Sequence, residues 1–250
     1  TAAMVETRPG RYSYSAGTFW YYNTWDFNVV GEISEKATGN DIFNALQSEI
    51  ADPIGMQDYR PSDGHYVSGG PVTMYPAYPF TMSARDLGRF ALLYLHDGRW
   101  RDRQIVPAEW VAESTHSYSD TPTGGYGYMW WTSVPARGPG GPKAALLRPT
   151  YWADGHLGQY AVIVPSLDLV VVNLVDSRLT SKRMGQLKME KLVWLVESAE
   201  NATGIGPEPG RKPLVRHGCG NRRQTGLDRC PAIEVVRAAL PQHVRATGSN

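Results

Sequence analysis

Apolar positions recur at helical spacing in the first half of the chain, and in the second half they gather into short runs. From Asp26 to Ala37 the residues Phe27, Val30, Ile33 and Ala37 recur at that spacing, which predicts an amphipathic helix ended by Thr38-Gly39-Asn40. A second helix is expected from about Asp41 to Ile50, stopping before Pro53, with "DPIGM" as a tight loop. Ser83 and Asp86 resemble the start of a capping box for a helix that continues as "LGRFALLYLHDG" and stops by Gly98. "WRDRQIV" suggests an extended piece. Pro107 then opens a short helix, "PAEWVAEST", with proline at its first position.

The runs that follow are "YGYMWWTS", "PTYWADG", "QYAVIV" and "LDLVVVNLV". They are aromatic or β-branched and separated by turn signals, and "PSLD" reads as a hairpin loop. Three or more antiparallel strands are expected. An amphipathic helix from about Ser181 to Glu200 follows, with Leu187, Val193, Trp194 and Val196 among its apolar positions. Helices, then a meander, then a helix make an α+β pattern. Residues 59–80, rich in Gly, Pro and Tyr, read as a long ordered loop, and loops of this length are usually functional or disordered. Residues 1–200 therefore form the folded part. Residues 201–250 form a Gly/Pro/Arg-rich tail in which "AIEVVRAAL" is expected to be a short helix.

The chain has 250 residues, 42% hydrophobic and 20% charged, enough for a sizeable core. A net charge of +1 and a pI near 7.7 give no reason to expect nucleic acid or an anionic membrane as partner, and the basic tail reads as a solvated segment. No apolar run approaches a membrane span. The two cysteines, Cys219 and Cys230, do not make a zinc site, and a local disulfide in an oxidising compartment is one alternative for them. The six histidines are scattered, and His65 with Asp63 lacks a third ligand nearby, so no metal and no cofactor is expected.

One stretch asks for a chemical explanation. "GTFWYYNTWDFNVVGEISEKATG", residues 17–39, sets polar-tipped residues directly before a helix. With Pro9-Gly10, "IADPIGM", "MSARDLGRFALLYLHDGRWRDRQIVPAEW", "YGYMWW" and "GHLGQYAVIVPSLDLVVV", it resembles the serine β-lactamase-related hydrolases over about residues 9–196. That family includes class C β-lactamases, penicillin-binding-protein-like esterases and 6-aminohexanoate-dimer hydrolases. The resemblance implies a β-lactamase/penicillin-binding-protein-like antiparallel sheet flanked by helices, here incomplete at the N-terminal side. It also implies a small-molecule amide or ester substrate, an acyl-serine intermediate, no metal, and a periplasmic or secreted location.

Such enzymes use Ser-x-x-Lys on a helix, Tyr-x-Asn or a variant, and Lys-Thr-Gly or a variant on a strand. A serine hydroxyl needs a base to take its proton. A tyrosine passes protons to the leaving group, and as a phenolate it needs a neighbouring cation, because its ordinary pKa is about 10. Backbone N–H groups hold the oxyanion. The distance to Gly31, matched to a family glycine, places the second element at Tyr22-Asn23-Thr24. Tyr22 is then the phenol, and Thr24 stands where many relatives have Asn. Tyr21 competes with Tyr22, since alternation would send one of them into the core. Tyr21, Asn23 and Trp152 are candidates for the cleft wall. The third element admits two placements. In one, Gly155 is its last glycine, Ala153-Asp154 replace Lys-Thr, and the His156 N–H is the donor. In the other, His156-Leu157-Gly158 is the motif and the Gln159 N–H donates. The first is preferred, because the strand starting after Gly158 leaves 156–158 as the turn.

No Ser is followed three residues later by Lys anywhere in the chain. The chain is therefore expected to be the C-terminal portion of such a hydrolase, with the nucleophile in a missing N-terminal segment. A non-catalytic binding module on the same fold is the alternative, its sheet completed by a partner or by the tail. A third reading, Thr1 as an N-terminal nucleophile, has no other support in the sequence.

Overall fold

Asn23 starts the first helix. Its backbone is extended (φ −135°, ψ 109°), and its side-chain oxygen accepts from the Trp25 N–H at 3.2 Å, the usual way an N-cap satisfies an orphan donor. Helix α1 (Thr24–Thr38) ends at Gly39, whose φ of 74° closes it in the left-handed conformation. The computed structural model describes residues 8–15, 19–70, 73–136, 146, 148–176, 183–202 and 232–237, with backbone alone for 200–202 and 232–237.

The apolar stripe expected on α1 does not face the core. Val30 is 46% and Ile33 60% exposed, and the inward face is Asn28 and Gly31. The 59–80 segment docks there through polar anchors and a ring. Asn28 Nδ2 donates to the Tyr75 carbonyl at 3.1 Å, and Trp25 Nε1 donates to Thr73 Oγ1 at 3.0 Å. The Tyr78 ring lies so close to Gly31 that an added Cβ would be 2.1 Å from it. Gly31→Ala is expected to cost about 1–3 kcal/mol by overpacking, read as a lower denaturant midpoint at unchanged slope.

Pro53 does not end the second helix. Helix α2 (Ile42–Leu46) runs through a π turn (Gln47–Ala51) into α3 (Asp52–Ile54), which Gly55 closes at φ 68°. The change of hydrogen-bond register from π to α puts the proline in the first turn of α3, where its missing N–H is tolerated.

Ser83 caps α4 (Ala84–Leu95), and its Oγ accepts from the Asp86 N–H at 3.2 Å. Asp86 does not reach back to the cap as a capping box would. Its fully buried carboxylate accepts from the N–H groups of Gln57, Asp58 and Tyr59 at 2.9, 2.7 and 2.9 Å, and Arg89 pairs with it at 3.2 Å. The loop after α3 is thereby tied to α4. A two-stranded hairpin, β1 (Arg99–Trp100) and β2 (Arg103–Gln104), leads to α5 (Ala108–Thr115), where Pro107 sits at the cap rather than inside the helix.

The main sheet is antiparallel, seven strands in sequence order: β3 (Ser119–Thr121), β4 (Gly124–Tyr126), β5 (Trp131–Thr132), β6 (Tyr151–Gly155), β7 (Gln159–Val164), β8 (Leu169–Leu174) and β9 (Ala232–Arg237). β7 and β8 read as continuous apolar runs because both faces of the sheet are covered. On one face Ala161, Ile163, Val170 and Val172 pack with Ala91 and Tyr94 of α4 and Val111 of α5. On the other, Tyr160, Val162, Leu169 and Val171 pack with Met189 and Val193 of α6 (Gln186–Ala202). The α6 face differs from the expected one: Val193 is buried, but Leu187 is 79% exposed and Trp194 also faces out, while Glu190 and Glu197 are buried. Acidic residues on the inward face blur the apolar period from which that face was read.

The short helix expected from "AIEVVRAAL" is instead strand β9, paired with β8 from Ala232↔Leu174 to Arg237↔Leu169. Ile and Val favour a strand, and the edge of β8 supplies the hydrogen-bonding row that local sequence cannot reveal. Cys219, Cys230, Thr1 and the segment 203–231 lie outside the described residues. Among the described residues no helix is long and apolar enough to cross a membrane, and no three His, Cys, Asp or Glu side chains converge as metal ligands.

Candidate active site

Tyr22 is held by rings. It stacks on Trp131 of β5 (centroids 5.8 Å, planes 24° apart) and lies against Trp20, Phe27 and Tyr126. Trp131 in turn pairs across the ladder with Trp152 of β6. The N-terminal end of α1 is thus fixed against the β4–β6 side of the sheet by aromatic packing.

Two residues beyond Trp152 on the same face of β6 is Asp154. Burial raises the Tyr22 pKa above its ordinary value of 10, and the negative charge of Asp154 raises it further. Among the described residues, no cation acts on the phenol. Its charged neighbour is an acid, which favours the protonated phenol over the phenolate. Asp154 is itself shifted upward, chiefly by partial burial of its carboxyl group. Tyr160, which donates to its Oδ2 at 3.1 Å, and the positive charge of Arg183 oppose that shift. Burial and the Asp154 charge push Tyr160 well above the ordinary phenol range.

The β6–β7 connection is the turn His156-Leu157-Gly158 between the paired residues Gly155 and Gln159. The Gly158 N–H bonds the Gly155 carbonyl at 3.0 Å. Leu157 has φ 62° and Gly158 φ 98°. The segment entering α6 lies over this turn: the Met184 N–H bonds the Leu157 carbonyl at 3.2 Å, and a Cβ on Gly158 would be 2.2 Å from the Met184 carbonyl oxygen. Gly158→Ala is expected to destabilise by about 2–4 kcal/mol, since both the positive φ and the backbone contact oppose it; a chemical-denaturation curve checks this.

The His156 N–H has no hydrogen-bond partner among the described residues, and the residue is exposed. The Gln159 side chain is tied to Val175: its amide donates to the Val175 carbonyl and accepts from the Val175 N–H, both at 2.9 Å. The structure thus brings Tyr22, Asp154, Gly155 and His156 to one end of β6. Thr24 is the half-buried first residue of α1, and Asn23 is occupied as its cap, donating also to Asp26 at 2.9 Å. Tyr21 lines a separate depression of about 350 Å³ with Arg8, Phe19 and Asn23. Trp152, expected in the cleft wall, is 1% exposed and belongs to the core facing α6, because alternation along β6 turns it inward. Trp131 and Tyr126, read from the sequence only as strand residues, are the groups that hold Tyr22.

A two-faced antiparallel sheet flanked by helices fits one class: the chain belongs to the beta-lactamase family, which it matches over residues 3–190. No curated protein matches it. Among solved structures it is similar to "Putative 6-aminohexanoate-dimer hydrolase from Bacillus anthracis", at 18% identity and TM-score 0.55, over 77% of this chain and 47% of that one. It is also similar to "Crystal structure of putative beta-lactamase from Bacteroides dorei DSM 17855" (20% identity, TM-score 0.44, 66% and 52% covered). A third is a penicillin-binding protein homologue from Pyrococcus abyssi (19%, 0.44, 60% and 36%). At 18% identity the likeness to the first of these is one of fold, and the chain spans about half the length of that protein.

Proposed function

We propose that these residues form part of a serine hydrolase that cleaves an amide or ester through an acyl-serine intermediate. The serine and its lysine come from outside the 250 residues, and the enzyme works in the periplasm or outside the cell. The gathering of the Tyr22 phenol, the Asp154 carboxylate and the Gly155–His156 turn at one end of β6 carries this reading. Tyr22, kept protonated by burial and by Asp154, gives its proton to the leaving group. The His156 N–H meets the developing oxyanion, a role in which one donor is worth about 10²–10³ in rate. The Thr24 hydroxyl contacts the substrate where relatives place an amide.

The test is labelling by a serine-directed phosphonate. A longer chain containing an upstream Ser-x-x-Lys is expected to label stoichiometrically, and the 250-residue chain alone to show neither labelling nor a burst. Stoichiometric labelling of the shorter chain would refute the placement of the nucleophile.

One observation favours a second reading, a binding module without catalysis: β9, from the C-terminal segment, covers the edge of β8. On that reading no longer chain labels, and the 250-residue protein folds cooperatively by itself.

A further inference from the structure

We propose that Asp154 is a specificity residue that selects substrates carrying an ammonium group near the scissile bond and turns away those carrying a carboxylate there. This rests on the hydrolase reading of the site but concerns which substrate it accepts. Asp154 stands at the end of β6, solvent-accessible, one residue before the Gly155 turn. One of its oxygens is held by the Tyr160 hydroxyl at 3.1 Å, which fixes the carboxyl group; the other has no hydrogen bond among the described residues. Two residues before it on the same face of β6, Trp152 pairs with Trp131, on which Tyr22 stacks, and the Asp154 charge acts on that phenol; aromatic rings near a carboxylate suit a cation.

Among the described residues, two further carboxylates act on rings of this part of the site. Asp26 acts on Tyr126 from the first turn of α1, and Glu190 acts on Tyr160 from α6. Arg183 is the opposing cation, and among the described residues it forms no ion pair with Asp154. An anionic substrate group at this place would be repelled by Asp154, and Arg183 would offset that only in part. An ammonium would gain a charge-assisted hydrogen bond to the free oxygen.

The experiment uses the 250-residue chain and three short amides of equal length, ending in an ammonium, a hydroxyl or a carboxylate. Binding is followed by the NMR shift of the Trp131 indole, assigned with Trp131→Phe. The ammonium amide is expected to bind about 10- to 100-fold tighter than the carboxylate one, the range of a hydrogen bond to a charged group. Asp154→Asn should abolish the preference, Asp154→Lys reverse it, and Arg183→Gln strengthen ammonium binding. A preference unchanged in Asp154→Asn, tighter binding of the carboxylate amide, or no binding of any amide to a chain with a native circular dichroism spectrum would overturn the proposal. The readout needs no turnover. If the preference holds while the longer chain fails to label, the hydrolase reading falls and the cation site stands.

Discussion

Tyr22→Phe, made in the longer chain that carries the nucleophile, is expected to lower kcat by about two to four orders of magnitude, the range of a general acid–base group. KM should change little, because the ring remains and only the hydroxyl is lost. The packing around Tyr22 makes this a clean substitution: Trp131, Trp20, Phe27 and Tyr126 touch the ring, and among the described residues the hydroxyl takes part in no hydrogen bond. Thermal stability should therefore stay close to that of the parent. The pH profile gives a second check. Burial and the Asp154 charge raise the Tyr22 pKa above 10, so the acid form persists through neutral pH and the alkaline limb of kcat falls above pH 10. Asp154→Asn removes an anion that disfavours the phenolate, so it should lower the Tyr22 pKa and move that limb to lower pH. An unchanged rate in Tyr22→Phe would pass the role to Tyr21 or remove it from both.

Asp86→Ala should have the largest effect on stability, about 3–5 kcal/mol, the cost of breaking a buried charged contact by deleting one partner. Three backbone N–H groups in residues 57–59 would lose their acceptor, and Arg89 would lose its carboxylate. For a chain of this size the melting temperature should fall by about 6–20 °C. Asp86→Asn keeps an oxygen that can accept from part of the set, so it should lose less. Equal melting temperatures for Asp86→Ala and the parent would show that the loop after α3 is held by other contacts. Here the sequence pattern was half informative. Ser83 and Asp86 marked the start of a helix correctly, but a carboxylate three residues past a cap can serve its own helix or a loop brought beside it. Only the chain path between Asp52 and Tyr59 decides which.

Elements whose identity rests on neighbours in sequence were legible: α1 and its stop at Gly39, the Ser83 cap, the β6–β7–β8 meander, and the turn at 156–158. Each follows from backbone chemistry that acts over a few residues. Tertiary packing decided which face of a helix turns inward. On α1 the inward side is Asn28 and Gly31 because Tyr75 and Tyr78 arrive there, and on α6 buried glutamates accompany Met189 and Val193. Packing also set the state of residues 232–237, where pairing with the edge of β8 makes a strand of a segment expected to be a short helix. The site divides in the same way. The turn after Gly155 could be read from the strand that follows Gly158, whereas the role proposed for Tyr22 rests on the resemblance. That the Asp154 carboxylate acts on this phenol could not be read, because Tyr22 and Asp154 lie far apart along the chain and the stacking of Tyr22 on Trp131 brings them within reach.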